Sequence, residues 1–324
     1  MKWEDVRKSK NVQDRRNQSR GTSFPGTSGS RGRSSGGGLG GGLIWLLLSR
    51  TSGKMKLILL ALFLFLTFLG SGGLGNLNNS TIYNRDIIPS EEVSVDNSIN
   101  SINTDSQTLN ASDDEVQFFQ AVLATTEDYW HSMFDSMGKT YREPSLVIYT
   151  DSISTGGCGV GSTQAGPFYC PADETVYIDL QFYRDLTTKY NAPGDFAMAY
   201  VIAHEVGHHV QKLVGTMDDY NSVRQRMSTK QANDLTVRLE LQADYYAGAW
   251  ADYVKQEGLL EMGDIEEALQ AAHSVGDDTL QKEAYGYVVP DSFTHGSSEQ
   301  RRTWFLRGFE YADFQHGDTF NTDI

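Results

Sequence analysis

His204-Glu205-Val206-Gly207-His208 sets two imidazoles four residues apart, with a carboxylate directly after the first. On a helix, positions i and i+4 share one face about one turn apart. Two rings so placed can each give one nitrogen to a single zinc ion. Glu205 then stands where its carboxylate can take a proton from a water at the metal. The pattern supplies most of a hydrolytic centre, provided that it lies on a helix and that a third protein ligand arrives from elsewhere.

The helix is legible in DFAMAYVIAHEVGHHVQKLVG, residues 195–215, where Phe196, Tyr200, Val201, Val206, Val210, Leu213 and Val214 recur with the helical period. Asp195 reads as its N-cap after Gly194, and Gly215 as the residue just past its end. Gly207 costs the helix about 1 kcal/mol relative to Ala. A small residue there lets another backbone, or a substrate, come close. An apolar helix does not tolerate two His and a Glu unless something satisfies them. His209 points about 100° away from His208 and reads as a structural group.

A catalytic zinc takes three protein ligands and keeps one position open. The segment LTVRLELQADYYAGAWADYV, 235–254, is again helical in spacing and apolar or small nearly all round. It carries Glu240 and Asp244 four residues apart. Glu240 is the natural third ligand, so that His204, His208 and Glu240 would hold one Zn2+ per chain. Asp244, one turn on, can accept a hydrogen bond from a ligand imidazole and orient its ring. The bland alternative makes both carboxylates a solvated helix face. His131, His273 and His316 are other candidates for the third ligand, but none has so organised a setting.

Further along, VVPDSFTHGSSEQRR reads as a loop followed by a helix from about Ser298. His295 in that loop is the candidate donor to an oxyanion, with an ordinary loop histidine as the alternative. Arg301 can pair with Asp291 or Asp244, or clamp a substrate carboxylate; the sequence does not choose. GPFYCPADETVYIDL, 166–180, holds two strand-like runs around Pro171-Ala172-Asp173. It reads as an edge strand along which a peptide would add, as a packed hairpin, or as both. The two cysteines, Cys158 and Cys170, flank a Gly/Ser/Thr-rich segment. Outside the cytosol they are expected to form a disulfide worth about 3 kcal/mol, and in a reducing cytosol to stay free.

These stretches, with MKWEDVRKSKNVQDRR at the start, VLATTEDYW and VVPDSFTHGSSEQRRTWFLRGF, make the chain resemble the bacterial neutral zinc metallopeptidases, a family of membrane-anchored proteins. The resemblance spans nearly all of the chain except the linker after the apolar segment. It implies a zincin-type domain with a Glu third ligand, similar to the thermolysin-like (gluzincin) group, and no particular substrate.

Charge divides the chain. Residues 1–56 carry twelve Lys and Arg against three acids, a net +9, which leaves −24 for the rest of a chain whose total is −15. An acidic remainder disfavours nucleic-acid binding. The apolar run LILLALFLFLTFL, 57–69, can be extended to a membrane span over 55–74. The basic flank then keeps the N-terminus in the cytoplasm. A signal peptide starting at Met55 is the rival reading. The expected organisation is a basic, disordered cytoplasmic tail at 1–54, an anchor at 55–74, an Asn/Ser-rich linker at 75–112 and a metallopeptidase domain at 113–324. That domain should be α+β and mostly helical, zincin-like with a small sheet, preceded by one transmembrane helix, and held outside the bacterial cytoplasmic membrane. Its expected activity is zinc-dependent hydrolysis of peptide or protein substrates. The rivals are an amidohydrolase of cell-wall peptide and a metal-stabilised scaffold.

Overall fold

The computed structural model describes residues 1–16, 113–162 and 166–324. Strand β1, Val12–Asp14, is the first element. After helix α1, Asp113–Ser136, come β2 (Ser145–Tyr149), the two short strands β3 (Ser152–Ser154) and β4 (Val160–Ser162), then β5 (Phe168–Cys170) and β6 (Thr175–Asp179). One sheet runs β1-β2-β6-β5. Its first three strands are parallel, while β5 runs antiparallel to β6 with Phe168 opposite Tyr177 and Cys170 opposite Thr175. The hairpin expected over 166–180 is this β5–β6 pair. All five residues of β6 are buried, as parallel strands covered on both faces require.

The remaining elements are helical: α2 (Leu180–Thr188), α3 (Asp195–Val214), α4 (Thr216–Arg224), α5 (Thr229–Gln256), α6 (Asp264–Ser274), α7 (Asp277–Tyr285), a 3-10 turn at Pro290–Ser292, and α8 (Ser298–Tyr311). The mostly helical α+β class expected from the sequence is therefore what forms. Helix α3 is buried on nearly every face from Phe196 to Gln211. Asp195, expected as its N-cap, is its first helical residue instead; the Phe196 N–H is met by Glu267 Oε2 at 3.1 Å. Gly215 ends the helix in the left-handed region, at φ 96°.

Helix α5 lies between α3 and α8. The α5–α8 crossing depends on two glycines: a Cβ on Gly248 would meet Phe305 O at 1.9 Å, and one on Gly308 would meet Tyr245 O at 1.9 Å. No larger side chain fits such a backbone approach. Around these crossings Trp250, Phe196, Tyr200 and Phe305 fill the core, with the Phe196 and Trp250 rings stacked at 5.6 Å.

The N-terminal segment departs from expectation. Residues 1–16 are no disordered tail. They belong to the same folded unit as the C-terminal domain. Met1 is 3% exposed in the core, and its amino group lies 3.0 Å from Asp195 Oδ1 and 3.2 Å from Asp264 Oδ1. Ser9 Oγ and Asn11 Nδ2 donate to Glu127 Oε1 at 2.6 and 2.9 Å, and Arg7 pairs with Glu127 Oε2 at 2.9 Å. Glu127 is fully buried, so a buried carboxylate in α1 is satisfied by the first eleven residues of the chain. Strand β1 then adds to β2 through its backbone, which needs no apolar pattern.

The β1–β2 pairing sets Val12, Gln13 and Asp14 beside Leu146, Val147 and Ile148 in one sheet. The rest of the expected tail, the span at 55–74 and the linker at 75–112 lie outside the described residues. Among the described residues, no helix is long and apolar enough to cross a membrane.

Candidate metal centre

Helices α3 and α5 meet where each carries its polar pair. Gly207, between the two histidines, faces Ala243, between Glu240 and Asp244: a Cβ on Gly207 would lie 3.1 Å from Ala243 Cα and 3.1 Å from its carbonyl oxygen. The close neighbour expected at Gly207 is thus the backbone of α5. This contact brings the polar groups of both helices into one cluster. His204 Nε2 lies 3.2 Å from Glu240 Oε2, and His208 Nε2 lies 3.5 Å from the same oxygen. His204, His208 and Glu240 each offer one ligand atom, all within 4.8 Å of one another.

The donor set fits zinc. Ligand atoms about 2.0–2.1 Å from a tetrahedral ion stand roughly 3.3 Å from each other, close to the spacing here. Both histidines also have their other nitrogen engaged. His204 Nδ1 donates to Asp244 Oδ1 at 2.8 Å, and His208 Nδ1 donates to Gln211 Oε1 at 2.8 Å. Each ring is therefore held with Nε2 turned inward, the orientation that a ligand imidazole needs.

Asp244 is fully buried and makes more contacts than sequence reasoning gave it. Tyr200 donates its hydroxyl proton to Oδ1 at 2.6 Å. Arg301 reaches Oδ2 through Nε at 2.8 Å and Oδ1 through Nη2 at 3.0 Å, and its Nη2 also donates to the Tyr200 hydroxyl at 3.1 Å. Of the open alternatives for Arg301, the structure takes Asp244. Burial alone would raise the Asp244 carboxyl, but the Arg301 guanidinium and the His204 ring outweigh it and hold the group below its usual range. Burial likewise opposes charge on His204, yet Asp244 and Glu240 lift the ring well above its ordinary value. Glu240 is driven well below its own, against its burial, by His208 and His204.

Glu205, next to His204 on α3, is 8% exposed, and its charge acts on the His208 ring. His209, expected to be structural, bridges β5 to the loop before β2: Tyr169 OH lies 2.9 Å from its Nδ1, and its Nε2 donates to Arg142 O at 2.6 Å. His131 pairs with Glu143 and His316 with Asp313, so neither joins the cluster.

His295 sits in the loop between the 3-10 turn and α8, with half its side chain exposed. The loop is gripped by Asp277, whose Oδ2 accepts the backbone N–H groups of Thr294, His295 and Gly296 at 2.6, 2.7 and 3.1 Å. Asp277 Oδ1 lies 3.3 Å from His295 Nδ1. That hydrogen bond raises the His295 ring above its ordinary value against partial burial, with help from the charge on Glu240.

Tyr200, Gln211 and Asp277 were missed in the sequence. Tyr200 and Gln211 stand four residues before His204 and three after His208, on the faces that helical spacing assigns to the ligands, so they could have been found. Asp277 lies eighteen residues before His295 and had no such signal. Cys158 and Cys170 form a disulfide.

Comparison with known proteins gives a family whose description names zinc. The profile of the family described as "Putative neutral zinc metallopeptidase" matches residues 1–320. The chain belongs to that family. The match takes in the N-terminal segment together with both ligand helices. An Escherichia coli K12 protein, "Uncharacterized protein YpfJ", is 45% identical over 324 residues, covering all of both chains. A Mycobacterium tuberculosis protein, "Uncharacterized protein Rv2575", is 39% identical over 219 residues, covering 64% of this chain and 73% of its own. No solved structure was found to match.

Proposed function

We propose that the protein is a zinc-dependent peptidase that hydrolyses peptide bonds, with His204, His208 and Glu240 holding one zinc ion per chain. One observation carries the reading: three donor atoms from two helices face a common point, while both outer imidazole nitrogens are already engaged. Zinc bound there would supply a Lewis acid that polarises a carbonyl and acidifies water. Glu205 takes the proton of the attacking water and passes it to the leaving nitrogen. His295, aimed by Asp277, donates a hydrogen bond to the oxyanion. Strand β5, at the antiparallel edge of the sheet and tied to α3 by the Tyr169–His209 contact, is the edge along which an extended peptide would add. An intact acid at Glu205 speaks against a purely scaffolding metal, which needs no base.

The Cys158–Cys170 disulfide supports a place outside the cytoplasm. Attachment through the apolar 55–74 stretch then requires the chain before and after it to lie on that same face, so that β1 can reach β2.

The test uses the full-length chain loaded with zinc. Wild type should carry about one zinc per chain and cleave unstructured peptides, and Glu205→Gln should keep the metal and lose turnover by at least about a hundredfold. Wild-type protein without stoichiometric metal, or equal turnover by the two proteins, would reject the reading. A panel of cell-wall peptide fragments run beside the peptides defines the substrate class.

A further inference from the structure

His208 is held by a different device from His204. Its Nδ1 proton goes to the side-chain amide of Gln211, one turn on in α3. Gln211 is fully buried, and its Nε2 donates both to Leu239 O at 2.7 Å and to Gln242 Oε1 at 3.1 Å. Gln242, 6% exposed on α5, donates in turn to Gly317 O at 3.0 Å. The order of these atoms is forced. Leu239 O is a carbonyl and only accepts, so Gln211 must turn its NH2 toward it and its oxygen toward His208. Only the Nδ1–H form of the His208 ring can then make the bond, and that form leaves Nε2 free on the side of Glu240.

The far end of the chain of amides is the C-terminal segment. It is strapped onto α5 beyond Gly317: Thr319, fully buried, donates its hydroxyl to Arg238 O at 2.6 Å, and Arg238 Nη1 donates to Thr322 O at 2.9 Å. Gly317 itself lies against the Tyr245 ring, where a Cβ would come within 2.7 Å.

We propose that Gln211 and Gln242 form an amide relay through which the docked C-terminal strap fixes the tautomer and orientation of His208, making both glutamines positioning residues for the metal site. The proposal rests on the zinc reading above. An amide suits this place because it donates and accepts at once. A carboxylate would serve His208 but face Leu239 O without a proton, and an apolar side chain would serve neither.

The test compares Gln211→Leu, Gln211→Glu and Gln242→Leu in the full-length chain. Zinc affinity is measured by competition with a chelating dye, and folding by thermal unfolding of the zinc-free proteins. Gln211→Leu should weaken zinc binding by roughly 10- to 100-fold, the usual effect of losing the partner of a ligand histidine. Gln242→Leu should weaken it less, since Gln211 keeps Leu239 O. Gln211→Glu should hold zinc near the wild-type level while unfolding at a lower temperature. That split separates positioning from a merely structural role, for which affinity would follow stability in all three. Should Gln211→Leu fail to fold, the His208 tautomer is read by long-range proton–nitrogen NMR in the zinc-loaded wild-type chain. An Nδ1–H signal is expected, and metal on Nδ1 would overturn the proposal. Zinc-binding wild type with unaltered affinity in Gln211→Leu overturns it as well, whereas wild type that binds no zinc rejects the functional reading itself.

Discussion

Gly207 of α3 rests against Ala243 of α5, with room for a Cβ only at 3.1 Å from both the Cα and the carbonyl oxygen of Ala243. Because each of these small residues stands between two polar ones, the separation of the helices at this point sets the distance from Glu240 to the two imidazoles. Gly207→Ala gains about 1 kcal/mol of helix propensity but forces the helices apart by a few tenths of an ångström. Its thermal stability should stay near that of wild type while zinc affinity falls. Gly207→Val overpacks the contact and should cost about 1–3 kcal/mol as well as most of the affinity. Thermal unfolding with and without zinc measures both, and unchanged affinity in Gly207→Val would separate the metal site from this contact.

Asp244 and Arg301 form a buried pair behind His204, with Tyr200 bridging them. Removing one partner leaves an uncompensated charge in the core. Arg301→Met and Asp244→Asn should each destabilise the protein by about 3–5 kcal/mol, on the order of 10 °C in melting temperature for a domain of this size. The double variant should fall well short of the sum, since each change removes the penalty exposed by the other. Additive losses in a double-mutant cycle would show the pair to be uncoupled.

Much of this centre was readable because helical spacing carries it. HEVGH lay in a strongly apolar helix, and Glu240 and Asp244 stood four apart in another, so the meeting of His204, His208 and Glu240 and the carboxylate behind His204 followed from period and burial. The N-terminal segment was unreadable for the opposite reason. Its Arg, Ser and Asn side chains look like those of a solvated tail, yet Arg7, Ser9 and Asn11 satisfy the buried Glu127. Strand β1 joins the sheet through backbone groups that every residue possesses. Long-range polar pairing of this kind leaves no periodic trace in a single sequence.

The His295–Asp277 pair makes a prediction about pH. The hydrogen bond to Asp277 raises the His295 ring above its ordinary value. A raised histidine stays protonated to higher pH, and its contribution is lost as pH rises through the folded-state value. If the charged ring serves the oxyanion, kcat/KM should fall on the alkaline side with His295. Asp277→Asn removes the charge that holds the ring up, so the alkaline limb should move to lower pH. His295→Ala should abolish that limb and lower kcat while leaving zinc content unchanged. A limb that stays in place in both variants would assign it to another group.

The last prediction concerns sidedness. Glu127 is a fully buried carboxylate whose hydrogen bonds and ion pair come from Arg7, Ser9 and Asn11, and β1 pairs in register with β2. Separating the first sixteen residues from the domain would strand that charge, a loss on the order of 3–5 kcal/mol. Both parts should therefore reside on one face of the membrane in cells. Asp5 and Asp219 are exposed positions on the N-terminal segment and on α4, respectively. Full-length chains bearing Asp5→Cys or Asp219→Cys, in which the native cysteines are already joined, can be treated with a membrane-impermeant maleimide in intact cells and again after lysis. The two positions should behave alike, both labelled in intact cells if the domain is external. Labelling of Asp219→Cys alone would place the N-terminus across the bilayer and show that β1 does not pair with β2 in the cell.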